Sequence, residues 1–157
     1  MEEIIIDTLG TLVDRGFCYE HRAHYYETDQ MGIVHHSNYI RWMEEARIAY
    51  MEFIGLPYKA VEAKGVLIPV LSADCEYKSP VRFDETVEIY PSVAFFNGIR
   101  MQLSYRMVDK ASGRLCTVGH TGHCFTTPDM KPLSLKKFDR AMYDLLAGCL
   151  SGQEPSK

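Results

Sequence analysis

Residues 38–54 read NYIRWMEEARIAYMEFI. Tyr39, Met43, Ala46, Tyr50 and Phe53 recur at spacings of four and three, the period of one helix face. Gly55 and Pro57 stop the run, and Ser37 or Asn38 is placed to cap its start through a short polar side chain. Eleven of the seventeen residues are apolar or aromatic. A helix lying on a surface needs only one apolar stripe. On a wheel, Arg41, Glu44, Glu45 and Glu52 share one narrow face, and Arg47 is the one charge away from it. The pattern predicts a helix covered on several sides.

The segments around it supply the cover. FCYEHRAHYYE (17–27) is rich in aromatics and predicts a strand. VLIPVLSADCEYK (66–78) ends in alternation, with Cys75 and Tyr77 opposite Asp74, Glu76 and Lys78. TVEIYPSVAFF (86–96) places Val87, Ile89, Val93 and Phe95 on one face. Pro91 lacks an N–H, which predicts an edge or a bulge there. Asn97-Gly98 is a hairpin signal because both residues tolerate positive φ. IRMQLSYRMV (99–108) alternates closely, and RLCTVGHTGHCFT (114–126) reads as a fifth strand loosened by Gly119 and Gly122. A short amphipathic helix over about 135–146 closes the chain. Tight turns make the later strands antiparallel. The economical architecture is α+β: a curved, antiparallel five-stranded sheet wrapped around one long helix.

Length and composition agree with this. The 157 residues predict a single domain over 1–157, with its core at about 17–128. A net charge of -4 gives no reason to expect nucleic-acid binding through a basic surface. No apolar run reaches the length of a membrane-spanning helix, and the acidic start MEEIIID is unlike a secretory signal, so a cytoplasmic protein is expected. The run IIID is compatible with a short strand. The odd set Cys18, Cys75, Cys116, Cys124 and Cys149, without a C-x-x-C pair, predicts reduced thiols.

Ahead of the long helix stands HYYETDQMGIVHHSNY (24–39). Its Thr28-Asp29-x-x-Gly32-x-Val34-x-His36-x-x-Tyr39 resembles the signature of the hotdog-fold thioesterases of the 4-hydroxybenzoyl-CoA thioesterase type. Trp42-Met43-Glu44-Glu45-Ala46-Arg47 resembles the opening of that family's central helix. The Tyr77-x-x-Pro80 step and the Asn97-Gly98 hairpin fall where the family has them. The resemblance covers about residues 17–128. It implies a hotdog fold and hydrolysis of an acyl-CoA thioester without a cofactor. It also implies a homodimer or homotetramer whose site lies where two protomers meet. It assigns Asp29 as the catalytic carboxylate and places His36 in the site.

The residue chemistry is compatible with that assignment. A thioester releases a thiolate with an ordinary pKa of about 8.5, which needs little help from an acid. A carboxylate and a set of oxyanion donors suffice. Asp29 suits either direct attack or activation of water, and an Asx-turn is its ordinary structural role. Gly32 permits a sharp turn or a close approach to ligand. His35, His36, Ser37 and Asn38 lead into a helix N-terminus, where free N–H groups and the dipole polarise a carbonyl. Tyr25 matches a family tyrosine, and Val34 a fixed position of the motif. Tyr25, Gly32, Val34, His35, Ser37 and Asn38 are therefore the expected substrate-binding residues. His35 departs from the family's usual aromatic.

Other readings stand beside these. Related hotdog enzymes use a helix carboxylate, which directs attention to Glu44 and Glu45. Arg47 is expected to pair with Glu44 at i,i+3. His120 and His123 point to opposite faces of a strand and predict no metal site. Lys78, Arg82 and Arg100 are candidate contacts for CoA phosphates. The competing functions are a non-catalytic acyl-CoA-binding module and a dehydratase acting on carrier-bound acyl chains.

Overall fold

In the computed structural model the apolar run forms helix α1, Ser37–Phe53. The structure describes residues 17–150 and, in addition, the backbone of Ile5–Ile6 (β1) and Leu12–Val13 (β2). These two pairs form a small antiparallel ladder of their own. The remainder of the predicted N-terminal strand, Ile4 and Asp7, and the chain end beyond residue 150 lie outside the described residues.

The main sheet has five antiparallel strands: β3 (Tyr19–Arg22), β4 (Val70–Tyr77), β5 (Thr86–Phe96), β6 (Arg100–Asp109) and β7 (Leu115–Cys124). Their order is β3-β5-β6-β7-β4. Helix α1 touches both edge strands, β3 and β4, as well as β5, so the sheet curls around it. This is the hotdog arrangement. The alternation read in residues 99–108 sends Met101, Leu103, Tyr105 and Met107 into the core. They meet Trp42, Met43, Ala46 and Tyr50 of α1 in one buried cluster. Each large side chain so buried contributes roughly 1.5–3 kcal/mol.

Several sequence expectations shift. The stretch 17–27 is a strand only as far as Arg22; Tyr25–Glu27 is a turn of 3₁₀ helix. The cause is Glu27, whose carboxylate accepts the His24 N–H and closes the turn. The helix expected over 135–146 is two helices, α3 (Leu135–Phe138) and α4 (Arg140–Gly148). Asp139 separates them, because it adopts an extended conformation and caps α4 by accepting the Met142 N–H. A further short helix, α2 (Tyr58–Ala63), follows Pro57.

Within β5, Pro91 lies beyond the last β3 pairing, Tyr19 with Ile89, so the missing N–H leaves no gap in that ladder. The bulge falls later, between Val93 and Phe95. It turns Phe95 outward (48% exposed) and Phe96 inward, opposite to the expected register. At the following hairpin only Gly98 takes positive φ; Asn97 holds the turn by accepting the Ile99 and Arg100 N–H groups.

The sheet covers α1 on one side only. Ile40, Ile48 and Phe53 remain exposed, so the helix is less enclosed than its composition predicts. The alternation read in 66–78 likewise buries no complete face: β4 is exposed along nearly its whole length, because it has a neighbour on one side only.

Helix and sheet approach closely at Gly119 of β7. A Cβ there would lie 2.7 Å from Met43 Sδ and 2.9 Å from the Asp74 carbonyl oxygen. The sulfur can swing aside, but the carbonyl belongs to the paired strand. Gly119→Ala is therefore expected to destabilise the fold by about 1–3 kcal/mol, read as a lower denaturant midpoint at unchanged slope.

Candidate active site

The acidic loop ahead of α1 is a closed turn. Asp29 N–H donates to the Ile33 carbonyl, Gly32 N–H donates back to the Asp29 carbonyl, and Thr28 bridges Val34. Gly32 sits at φ +78°, a conformation that side chains with a Cβ resist. Asp29 Oδ1 accepts the Met31 N–H at 2.9 Å, so the Asx-turn is real. Asp29 Oδ2 accepts no hydrogen bond among the described residues.

The entry to α1 differs in detail from the sequence expectation. Neither Ser37 nor Asn38 caps the helix through its side chain. The His35 ring performs that role: its Nδ1 accepts the Ser37 N–H and lies 2.8 Å from the Ser37 hydroxyl. Asn38 instead turns inward, where its Nδ2 donates to the carbonyls of Glu27 and His35. The backbone N–H of His36 finds no acceptor among the described residues, at the positive end of the helix. Tyr77 Oη donates to the His36 carbonyl and ties β4 to this helix start.

Asp29, Val34 and His36 share a cleft of about 370 Å³ with Met31, Ile33, Tyr39, Tyr77, Lys78, Ser79 and Pro80. The Tyr39 and Tyr77 rings lie 5.1 Å apart, edge to face. Burial pushes the Tyr39 hydroxyl up to about 12, so this residue is a neutral wall. The other candidates lie around the cleft. Tyr25 is 77% exposed and packs its ring against Phe83. Gly32, His35, Ser37 and Asn38 shape the loop and the helix start without lining the cleft. Tyr77 and Pro80 were visible in the sequence as the Tyr-x-x-Pro step. Met31, Ile33 and Ser79 carried no signal.

Glu45 is committed elsewhere: it accepts from Tyr19 Oη at 3.0 Å and lies 3.4 Å from His21 Nδ1. Arg47 does not pair with Glu44. It is buried and donates to Tyr58 Oη at 2.9 Å, because it projects from the covered side of α1, away from Glu44. His120 lies 2.9 Å from Asp74 on the exposed side, whereas His123 is buried, so the two are separated by the sheet. Among the described residues, two groups have donor atoms close enough to share an ion: His21, His24 and Glu27, and Cys18, Glu20 and Glu88. In the first, the Glu27 oxygens already take hydrogen bonds from Trp42 and the His24 N–H. The five cysteines form no disulfide. No helix among the described residues is long and apolar enough to cross a membrane.

A carboxylate turn facing a helix N-terminus inside a curled antiparallel sheet defines a class of protein rather than one activity. The chain belongs to the thioesterase-like superfamily, whose model matches residues 24–133. It is 36% identical over 119 residues to the "Putative acyl-CoA thioesterase YneP" of Bacillus subtilis, across 75% of this chain and 86% of that one. It is 28% identical over 116 residues to the acyl-CoA thioester hydrolase YbgC of Escherichia coli O157:H7, across 74% and 87%. The solved DHNA-CoA thioesterase of Staphylococcus aureus superposes with a TM-score of 0.79 at 29% identity, covering 83% of this chain and 88% of that one.

Proposed function

We propose that this chain is a thioester hydrolase that cleaves an acyl-CoA to the free acid and CoA. The observation that carries the reading is one cleft holding both an aspartate with an unengaged carboxylate oxygen and a residue with an unengaged helix-start amide, Asp29 and His36. Asp29 Oδ2 either attacks the carbonyl carbon and expels the thiolate, giving a mixed anhydride that water then hydrolyses, or takes a proton from a water that attacks the carbon itself. The His36 N–H and the dipole of α1 stabilise the oxyanion. The thiolate leaves without a dedicated acid. The His36 side chain, Val34 and the Tyr39 and Tyr77 rings hold the acyl group. Gly32, His35, Ser37, Asn38 and Tyr25 shape the approach to it.

Lys78 lines the cleft, and Arg82 Nη1 lies 4.0 Å from where a Cβ on Gly32 would sit. We assign these two to the CoA phosphates. Arg100 pairs with Cys124, seven residues along β7 from the partner of Tyr77, roughly 23 Å away, and has no such role. Lys78→Ala and Arg82→Ala are each expected to raise KM about fivefold, the ~1 kcal/mol of an exposed ion pair, with kcat unchanged. The effect should shrink as salt rises.

The exposed β4 edge fits a homodimer in which two such edges pair about a two-fold axis, with the cleft wall Tyr77–Pro80 beside the seam. A homotetramer is the same dimer doubled. Light scattering on the purified chain reads the mass directly.

The deciding experiment is thiol release from acetyl-, octanoyl- and benzoyl-CoA. Turnover of any of them supports the reading. Binding of acyl-CoA without thiol release replaces hydrolysis by a binding role.

A further inference from the structure

Glu27 has no part in the chemistry above, yet it is the most heavily bonded carboxylate among the described residues. It is 5% exposed. One oxygen, Oε1, accepts the His24 N–H at 2.8 Å and lies 2.8 Å from His21 Nε2. The other, Oε2, accepts the Trp42 indole N–H at 2.6 Å. Its backbone carbonyl accepts the His35 N–H at 2.8 Å and Asn38 Nδ2 at 2.9 Å. This one residue therefore joins β3, the 3₁₀ turn, the residue before His36, and the first two turns of α1. Asp29 follows two positions later in the chain.

We propose that Glu27 is a positioning residue for the hydrolysis, clamping the Asp29 loop against the N-terminus of α1. The proposal rests on the roles given above to Asp29 and His36. The reacting pair comes from two segments, a loop and a helix, and no hydrogen bond joins Asp29 to His36 among the described residues. Their spacing is set by whatever ties the segments together. Glu27 does so twice, through its side chain to Trp42 and through its carbonyl to His35 and Asn38. Burial raises the Glu27 carboxyl pKa, but the bonds from His21, the His24 N–H and Trp42 outweigh it and hold the group below its ordinary value. The ionised form is what the clamp requires, since donors face both oxygens.

A carboxamide has one acceptor oxygen and one NH₂, so Glu27→Gln must turn the NH₂ toward a donor on one side. A small displacement of positioned groups lowers turnover steeply. Glu27→Gln is expected to lower kcat for the best-hydrolysed of the three acyl-CoA probes by roughly ten- to a hundredfold, with KM little changed. Trp42, the chain's one tryptophan, reports the site directly. Its emission should shift in the variant while the far-ultraviolet circular dichroism stays that of the parent. Trp42→Phe removes the donor on the Oε2 side. In the double variant the Gln NH₂ no longer opposes a donor, and kcat should recover above that of Glu27→Gln alone.

A folded Glu27→Gln with parental kcat overturns the proposal. So does a loss of activity that only tracks the unfolded fraction, or a double variant no better than the single one. If Glu27→Gln does not fold, Trp42→Phe alone decides: a folded variant with reduced kcat supports the clamp, and full kcat overturns it. Asp29→Asn, assayed beside these, separates the two levels. If it keeps full turnover, the assignment of Asp29 fails; if it is inactive while Glu27→Gln is unimpaired, only the clamp fails.

Discussion

Asp29→Asn is expected to lower acyl-CoA turnover by at least about a hundredfold, the scale of a lost acid–base group. The substitution is close to isosteric, and its structural cost is small. The one side-chain hydrogen bond of Asp29 among the described residues is accepted by Oδ1 from Met31 N–H, and an asparagine oxygen accepts the same bond. The other bonds that close the turn are backbone to backbone, from Asp29 to Ile33 and from Gly32 to Asp29. The variant should therefore melt with the parent. What it loses is charge and basicity at Oδ2, the atom with no partner among the described residues. An amide nitrogen there neither attacks a carbonyl nor removes a proton from water. The expected signature is a fall in kcat with KM largely retained, measured by thiol release at saturating substrate. Undiminished turnover would move the search for the carboxylate to α1. There Glu44 would come first, because Glu45 is already held by Tyr19 and His21.

The ease of reading differed between parts of the chain for physical reasons. Periodicity reports burial, so α1 and the alternating β6 were legible almost to the residue. The course of β5 was legible only up to Val93, because a bulge reverses every side chain after it and leaves no mark in the hydrophobic pattern. The break at Asp139 carried a mark, a capping aspartate, but one apolar stripe runs through both helices and hid it. At the site, Asp29, Val34 and His36 came from a short motif that also forms the loop, and the structure gathers those three in one cleft. Lys78 and Tyr77 join them from a strand about forty positions away, a proximity that local spacing does not encode. The Glu27 cluster was unreadable for the same reason. Its acceptor atoms meet an indole fifteen residues on and an imidazole six residues back.

Acid should destabilise the fold through His123 before most carboxylates titrate. The ring is 1% exposed beneath the sheet. Its Nε2 lies 2.8 Å from Thr121 Oγ1, which lies 2.7 Å from Tyr105 Oη. Its Nδ1 has no hydrogen-bond partner among the described residues. Burial first, and the nearby Arg47 guanidinium second, lower its pKa from 6.5 to about 4; the carbonyls of Pro69 and Ile68 oppose this more weakly. The unfolded chain takes up the proton near pH 6.5 and the folded chain only near pH 4. Between those values the unfolded state binds more protons, so stability falls as the pH drops through the window. Above it the contribution is fully present. The loss amounts to about 3 kcal/mol over the whole window, an order-of-magnitude figure. His123→Phe keeps an aromatic ring in the same space and removes the titration. Thr121 and Tyr105 still bond each other in it. Denaturant midpoints at about pH 7 and about pH 4.5 give the comparison. Carboxylates act equally on both proteins, so the variant should lose less stability than the parent by most of that difference. Equal losses would mean that water or a shifted main chain solvates the protonated ring, and that His123 is not the group through which acid loosens the core.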